Sequence, residues 1–307
     1  MKKFFLLILF SFLIFSNLHA KNMSFSKDKS YEGDFKWGFI EYSFPEGQWT
    51  YFNKDNGIVP HTNILTRCIE FYQSENEILK GIFRICDIVT GGKWSPQIAQ
   101  ILSNYLKNDK HDNCTLRPEY FYAQLFTKGT SMNCFKTRHF DVYKELNYPD
   151  DPEATVKYLK NILEKKNIKI PKTMIGSFHF FFAPSVRDKG IEIVYIINPE
   201  FYGAPKTING DENSSEYHRN NINKFKAKNK FMNNFLYKQA IYHQNFEKNI
   251  KAKNHHLLDF SQFIEVKSSE EIVTKSITTQ LKSLNELYKS GVLTKEEFEK
   301  AKKKILN

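Results

Sequence analysis

Residues 174–197 leave the chain little choice of fold. Phe178, Phe180 and Phe182 recur at every second position, and after a loop through Arg187-Asp188-Lys189-Gly190 so do Ile191, Ile193 and Tyr195. Two is the strand period, because successive side chains of a strand point to opposite faces. Two such runs around a polar loop predict an antiparallel hairpin of Met174–Ala183 with Ile191–Ile197. Pairing the phenylalanine face with the Ile191, Ile193 and Tyr195 face sends His179 and Glu192 together onto the other side.

The same kind of signal recurs upstream. Aromatic residues crowd the stretch from Phe35 to Phe52, broken by Pro45-Glu46-Gly47, as one or two strands with a turn. Apolar runs at Ile64–Tyr72 and Ile78–Cys86 flank the polar turn Gln73–Glu77 and predict a second hairpin. A further aromatic strand region runs from Tyr120 to Phe126 and resumes from Met132 to Val142.

Two helices interrupt the strands. Ser95-Pro96 supplies an N-cap and a proline at the first helical position, followed by Ile98, Ile101, Leu102 and Tyr105 on one face. Asp150-Asp151-Pro152-Glu153 places acids at the start of the other, which carries Val156, Leu159, Ile162 and Leu163. Strand-rich segments separated by helices predict an α+β fold, an antiparallel sheet with flanking helices, over roughly 33–205. A basic helical segment at 219–256 completes a body spanning 33–257, ahead of a C-terminal helical hairpin. Residues 21–32 are a polar lead-in.

Four cysteines, Cys68, Cys86, Cys114 and Cys134, allow three pairings. The predicted hairpin sets Cys68 across from Cys86, so neighbouring pairs, Cys68–Cys86 and Cys114–Cys134, are the expected disulfides. No C-x-x-C pair is present, so no metal site is expected from the cysteines. Disulfides point to an oxidising compartment. The N-terminus agrees: Met1-Lys2-Lys3, an apolar run from Phe4 to Phe15 and Ala20 before a polar stretch have the layout of a secretory signal peptide over residues 1–20. The run is shorter than the roughly 20 residues a membrane-spanning helix needs. The expected location is therefore exported, periplasmic or extracellular, with membrane anchoring if the leader stays uncleaved.

The 45 Lys and Arg against 34 Asp and Glu give a net charge of +11, and only six of the basic residues are Arg. Together with the many Asn, Ile, Phe and Tyr residues, this lysine bias is what an AT-rich genome imposes. Two of the charges, Lys2 and Lys3, lie in the leader. Most of the rest fall in residues 219–256, where Arg219 and eight lysines stand against Glu247 alone. There Phe225, Phe231, Phe235, Tyr237, Tyr242 and Phe246 are interleaved with the charge, a pattern suited to an anionic membrane surface or polymer. Export argues against nucleic acid. The alternative is a packed helix whose aromatics face the core and whose lysines stay in water.

Candidate chemistry is sparse. His139, Asp141, His179 and Glu192 would share a sheet face, where histidines and carboxylates could exchange protons in a hydrolase-type site. No G-x-S-x-G elbow, H-E-x-x-H, phosphate-binding glycine loop or dinucleotide fingerprint occurs, and no cofactor is implied.

The C-terminus carries the clearest motif. Ser268-Ser269-Glu270-Glu271 is a capping box before a helical stripe of Val273, Ile277, Leu281, Leu284, Leu287 and Tyr288, and Gly291 ends it. Thr294-Lys295-Glu296-Glu297 caps a second helix with Phe298 and Ile305-Leu306. The run from Leu281 through Gly291-Val292-Leu293-Thr294 to Phe298 resembles the short C-terminal domain family called SHOCT, over about 276–307. The resemblance implies a small helical hairpin that mediates oligomerisation or partner docking, with no catalytic residue. A hairpin this small cannot bury enough apolar area alone, so Leu284, Leu287, Leu293 and Phe298 must cover something. Residues 258–270 read as a linker and 271–307 as the hairpin. The expected protein is thus an exported bacterial envelope component of unknown ligand, whose hairpin joins it to itself or to another envelope protein.

Overall fold

In the computed structural model the described residues are 23–38, 40–58, 64–90, 96–108, 114–128, 131–147, 154–183, 189–211, 213–251, 285 and 295–306. The fold is α+β. In chain order the elements are β1 (Ser30–Tyr31), β2 (Asp34–Trp37), β3 (Ile40–Ser43), β4 (Trp49–Ile58), β5 (Ile64–Glu75), β6 (Ile78–Thr90), α1 (Pro96–Asn108), β7 (Tyr120–Lys128), β8 (Ser131–Phe140), α2 (Val142–Asn147), α3 (Ala154–Lys165), β9 (Met174–Ala183), β10 (Lys189–Ile197), α4 (Lys226–Lys251) and α5 (Lys295–Leu306). Eight strands form one antiparallel sheet in the order β1-β4-β5-β6-β10-β9-β8-β7. β2 and β3 pair separately.

Both sheet faces are covered, which explains why the strands read as almost continuous apolar runs. On one face the β2–β3 hairpin packs Phe35, Tyr42 and Phe44 with Phe71 and Phe83, while α4 lays Met232, Phe235, Phe246 and Ile250 over the same cluster. On the other, Leu102 and Leu106 of α1 meet Ile88, Met132, Phe180 and Phe182. Beside them Leu146 of α2 and Leu159 and Leu163 of α3 meet Tyr72, Leu79, Phe140 and Met174. In α1 the buried residues are Ala99, Leu102 and Leu106, and Ile101, assigned to the inner face from its spacing, is 44% exposed.

The β5–β6 turn consists of Asn76 and Glu77, both at positive φ (51° and 59°), the backbone whose twist suits a two-residue hairpin. Gly81 follows on β6, where an added Cβ would lie 2.9 Å from the Trp49 ring and 3.1 Å from the Ile196 carbonyl. The bare strand there leaves room for the buried indole, whose Nε1 donates to the Pro45 carbonyl at 2.8 Å.

The β9–β10 hairpin forms, but one residue away from the pairing read from its alternation. Glu192 stands opposite Phe180, and His179 opposite Ile193. Residues directly opposite share a face, so His179 and Glu192 project from opposite sides of the sheet. The reason is physical: Phe180 and Phe182 are buried on one covered face, with Phe178 partly buried beside them, while Phe181, Ile191, Ile193 and Tyr195 fill the other, so alternation marks no single inner side.

Candidate functional site

The ladder sets Ile69, Ile85, Ile193, His179 and Phe135 side by side in one row across β5, β6, β10, β9 and β8. His179 thus interrupts an apolar row, and α4 descends onto it. From α4 come Gln239 and His243, one helical turn apart, so both point down the same face. His179 Nδ1 and His243 Nδ1 lie 3.2 Å apart, His179 Nε2 lies 3.2 Å from Gln239 Oε1, and Ser177 Oγ meets the same Oε1 at 2.6 Å. His243 Nε2 makes a short contact with Asn133 Oδ1. Phe135 stacks on both imidazoles, at 5.2 and 5.1 Å between ring centres, and Tyr242 meets His179 edge-on at 4.9 Å.

Electrostatics make this a neutral pair. Burial and, after it, the proximity of His243 leave His179 well below the usual histidine range. Burial lowers His243 to about 4, opposed by the charge of Glu247. Two neutral rings carry two protons, and the hydrogen-bond network fixes which way the side-chain amide faces. With its Oε1 toward His179, Gln239 would leave Nε2 without a partner among the described residues. Turning that amide end for end lets its N–H groups donate to His179 Nε2 and Ser177 Oγ. His179 Nδ1–H then donates to His243 Nδ1, and His243 Nε2–H to Asn133 Oδ1, so every ring nitrogen is used.

This cluster holds α4 to the sheet. His179 is fully buried and His243 is 7% exposed. A general acid or base must reach a substrate proton within about 3 Å, and both rings are buried.

The four candidates from the sequence do not converge. His139 lies on the α4 face but four residues along β8 from Phe135, which stands opposite His179, or roughly 13 Å away. It is buried edge-on against His218, 5.8 Å between ring centres. Asp141 caps α2, its Oδ1 accepting from the Lys144 amide at 3.0 Å. Glu192 lies on the α1–α3 face, in a row with Cys68, Cys86, Phe180 and Cys134. The sheet itself separates it from both histidines. Sequence reasoning missed Gln239 and His243; the signal was their i, i+4 spacing inside a segment dominated by its lysines.

Both expected cysteine pairs form, Cys68–Cys86 with Cα atoms 4.1 Å apart and Cys114–Cys134 with 6.0 Å. Within the basic segment, α4 is a packed helix: Phe235 and Phe246 are buried and Phe231 and Tyr242 rest against the core. Lys228 is buried too, 2.7 Å from Glu216 Oε2 and bonded to the Pro205 and Lys206 carbonyls. These four aromatics are therefore occupied within the body, whereas Phe225 is 37% exposed.

A cleft of about 380 Å³ opens beside β9, lined by Lys169, Lys172, Asn198, Phe201, Lys206 and Thr207 among others. Two of its groups are engaged locally: the Lys172 ammonium bonds the Ile208 carbonyl at 2.8 Å, and Glu200 Oε1 accepts from the Thr207 amide at 2.7 Å. Among the described residues no group of three metal-ligating side chains gathers, and no helix is long and apolar enough to cross a membrane.

The expected leader, the linker and the first helix of the C-terminal hairpin, with Leu284, Leu287 and Leu293, lie outside the described residues. Its second helix is α5, where Phe298 is half-buried and the Lys302 ammonium sits 5.8 Å above its ring. The family model of the SHOCT short C-terminal domain matches residues 279–306, and no family matches the remainder. No curated protein and no solved structure matches the chain.

Proposed function

We propose that this is an exported, non-catalytic component of the bacterial envelope, whose disulfide-braced body is carried into assemblies by its C-terminal hairpin. The observation that carries this reading is the SHOCT match at residues 279–306. Two short helices with a leucine and phenylalanine stripe need a covering surface, and a second copy of the hairpin is a natural one. The two cysteine pairs support export, because such bonds persist in oxidising compartments. The basic, then apolar, N-terminal stretch supports it as well.

The test is sedimentation velocity on the chain from residue 21 onward, compared with its Leu287→Asp variant. A charge placed on the stripe lowers the assembly state if hairpins associate. Unchanged sedimentation at every concentration refutes self-association through the hairpin.

A further inference from the structure

The two ends of the sheet are finished differently. At one end β1 covers the start of β4, pairing at Thr50 and Trp49, and the rest of that edge runs Asn53-Lys54-Asp55-Asn56-Gly57. Charges and a glycine on an edge discourage further pairing. At the other end β7 is the terminal strand, and no described strand pairs with its outer side. Past an irregularity at Phe121, β7 runs regularly from Tyr122 to Lys128 without a charge until its last residue. Gln124 and Thr127 are exposed, and Phe126 is 56% exposed. A long, uncharged edge with an exposed aromatic is a pairing surface.

We propose that β7 is a homodimer edge, joining two copies of this chain into one continuous antiparallel sheet about a two-fold axis centred on Gln124. The strand is self-complementary in that register. An axis normal to the sheet keeps each face in line with its twin, so only residues of like face meet. Tyr122 and Phe126 share the face that carries Thr137 and Asn133, and each falls opposite the other in the partner copy. That gives two aromatic cross-strand pairs, with Gln124 facing Gln124 between them. On the other face Ala123 meets Leu125, a small residue against a large one. Tyr122 is braced for this role by Phe135, 5.3 Å away between ring centres. The interface uses no residue of the C-terminal hairpin.

The experiment is oxidative cross-linking of the Gln124→Cys chain, in the otherwise native background and with Leu287→Asp added. Gln124 Cα atoms would lie about 5 Å apart across the axis, within disulfide reach. A cross-linked dimer is expected in both backgrounds. Adding Phe126→Lys should cut its yield about tenfold, the effect of losing both aromatic pairs. Gln244→Cys, on the exposed side of α4, is the control. Cross-linking of Gln124→Cys no greater than that of Gln244→Cys overturns the edge pairing, as does a yield unaffected by Phe126→Lys. Because sedimentation of Leu287→Asp reads the hairpin alone, failure of either interface is recognised without the other.

Discussion

His179 Nδ1 and His243 Nδ1 meet at 3.2 Å in the body's interior, one ring from β9 and one from α4, with Phe135 stacked on both. Contact between helix and sheet therefore depends on two imidazoles remaining uncharged. In the unfolded chain each would take up a proton near pH 6.5. In the fold His243 holds out to about pH 4 and His179 stays well below the usual range, chiefly through burial.

The sign follows from proton counting. Between about pH 6.5 and 4 the unfolded chain binds more protons than the folded one, so stability is fully present above that window and falls as pH drops through it. The loss from His243 alone is on the order of 3 kcal/mol, from a shift of more than two pH units. Glu247, the charged neighbour on α4, acts in the opposite direction. Thermal melts from pH 7 to pH 4 should show the native chain losing stability more steeply than His243→Gln. Parallel slopes for the two proteins would sink this account.

How much of this was legible from residues alone differs between elements. The 64–86 hairpin was readable to its disulfide, because Asn76 and its polar neighbours mark the turn and Cys68 falls opposite Cys86. The 174–197 hairpin was readable as strands but not in register, because Phe181 and Phe182 are equally buried on opposite faces. Alternation specifies register only where one face is wet. Gln239 and His243 sit among lysines and asparagines, and nothing local shows that the helix turns them toward His179. Their role is a property of the tertiary contact.

Glu216 and Lys228 form the most enclosed ion pair described, 2.7 Å apart with side chains 7% and 5% exposed. It ties the loop before α4 to the helix, and Glu216 Oε2 also accepts from the Ile208 amide at 3.2 Å. Lys228→Met leaves a buried carboxylate without its partner, a cost of about 3–5 kcal/mol. Glu216→Gln together with Lys228→Met removes both charges and should recover more than half of that. Recovery stays incomplete because the Pro205 and Lys206 carbonyls lose their donor. Urea denaturation of the two single variants and the double variant measures the coupling; strictly additive losses would show that the pair does not act as a unit.

The two disulfides should differ in what they hold. Cys68–Cys86 bridges neighbours within the long β5–β6 ladder, which the backbone already fixes from Ile64↔Thr90 to Glu75↔Ile78. Cys114–Cys134 instead joins the loop after α1 to β8, over a sequence separation of 20, beside the cluster that packs Leu102 and Leu106 on Met132 and Phe182. Closing loops of that length contributes about 3 kcal/mol in the entropic account, so global stability alone separates the two bonds poorly. Local opening separates them well. Hydrogen exchange on a Cys114→Ala/Cys134→Ala variant should accelerate across α1 while β5 and β6 stay protected. The Cys68→Ala/Cys86→Ala variant should lose global stability without a selective change in α1. Faster exchange in β5 and β6 with α1 unaffected, in the first variant, would mean that α1 is held by its apolar face alone.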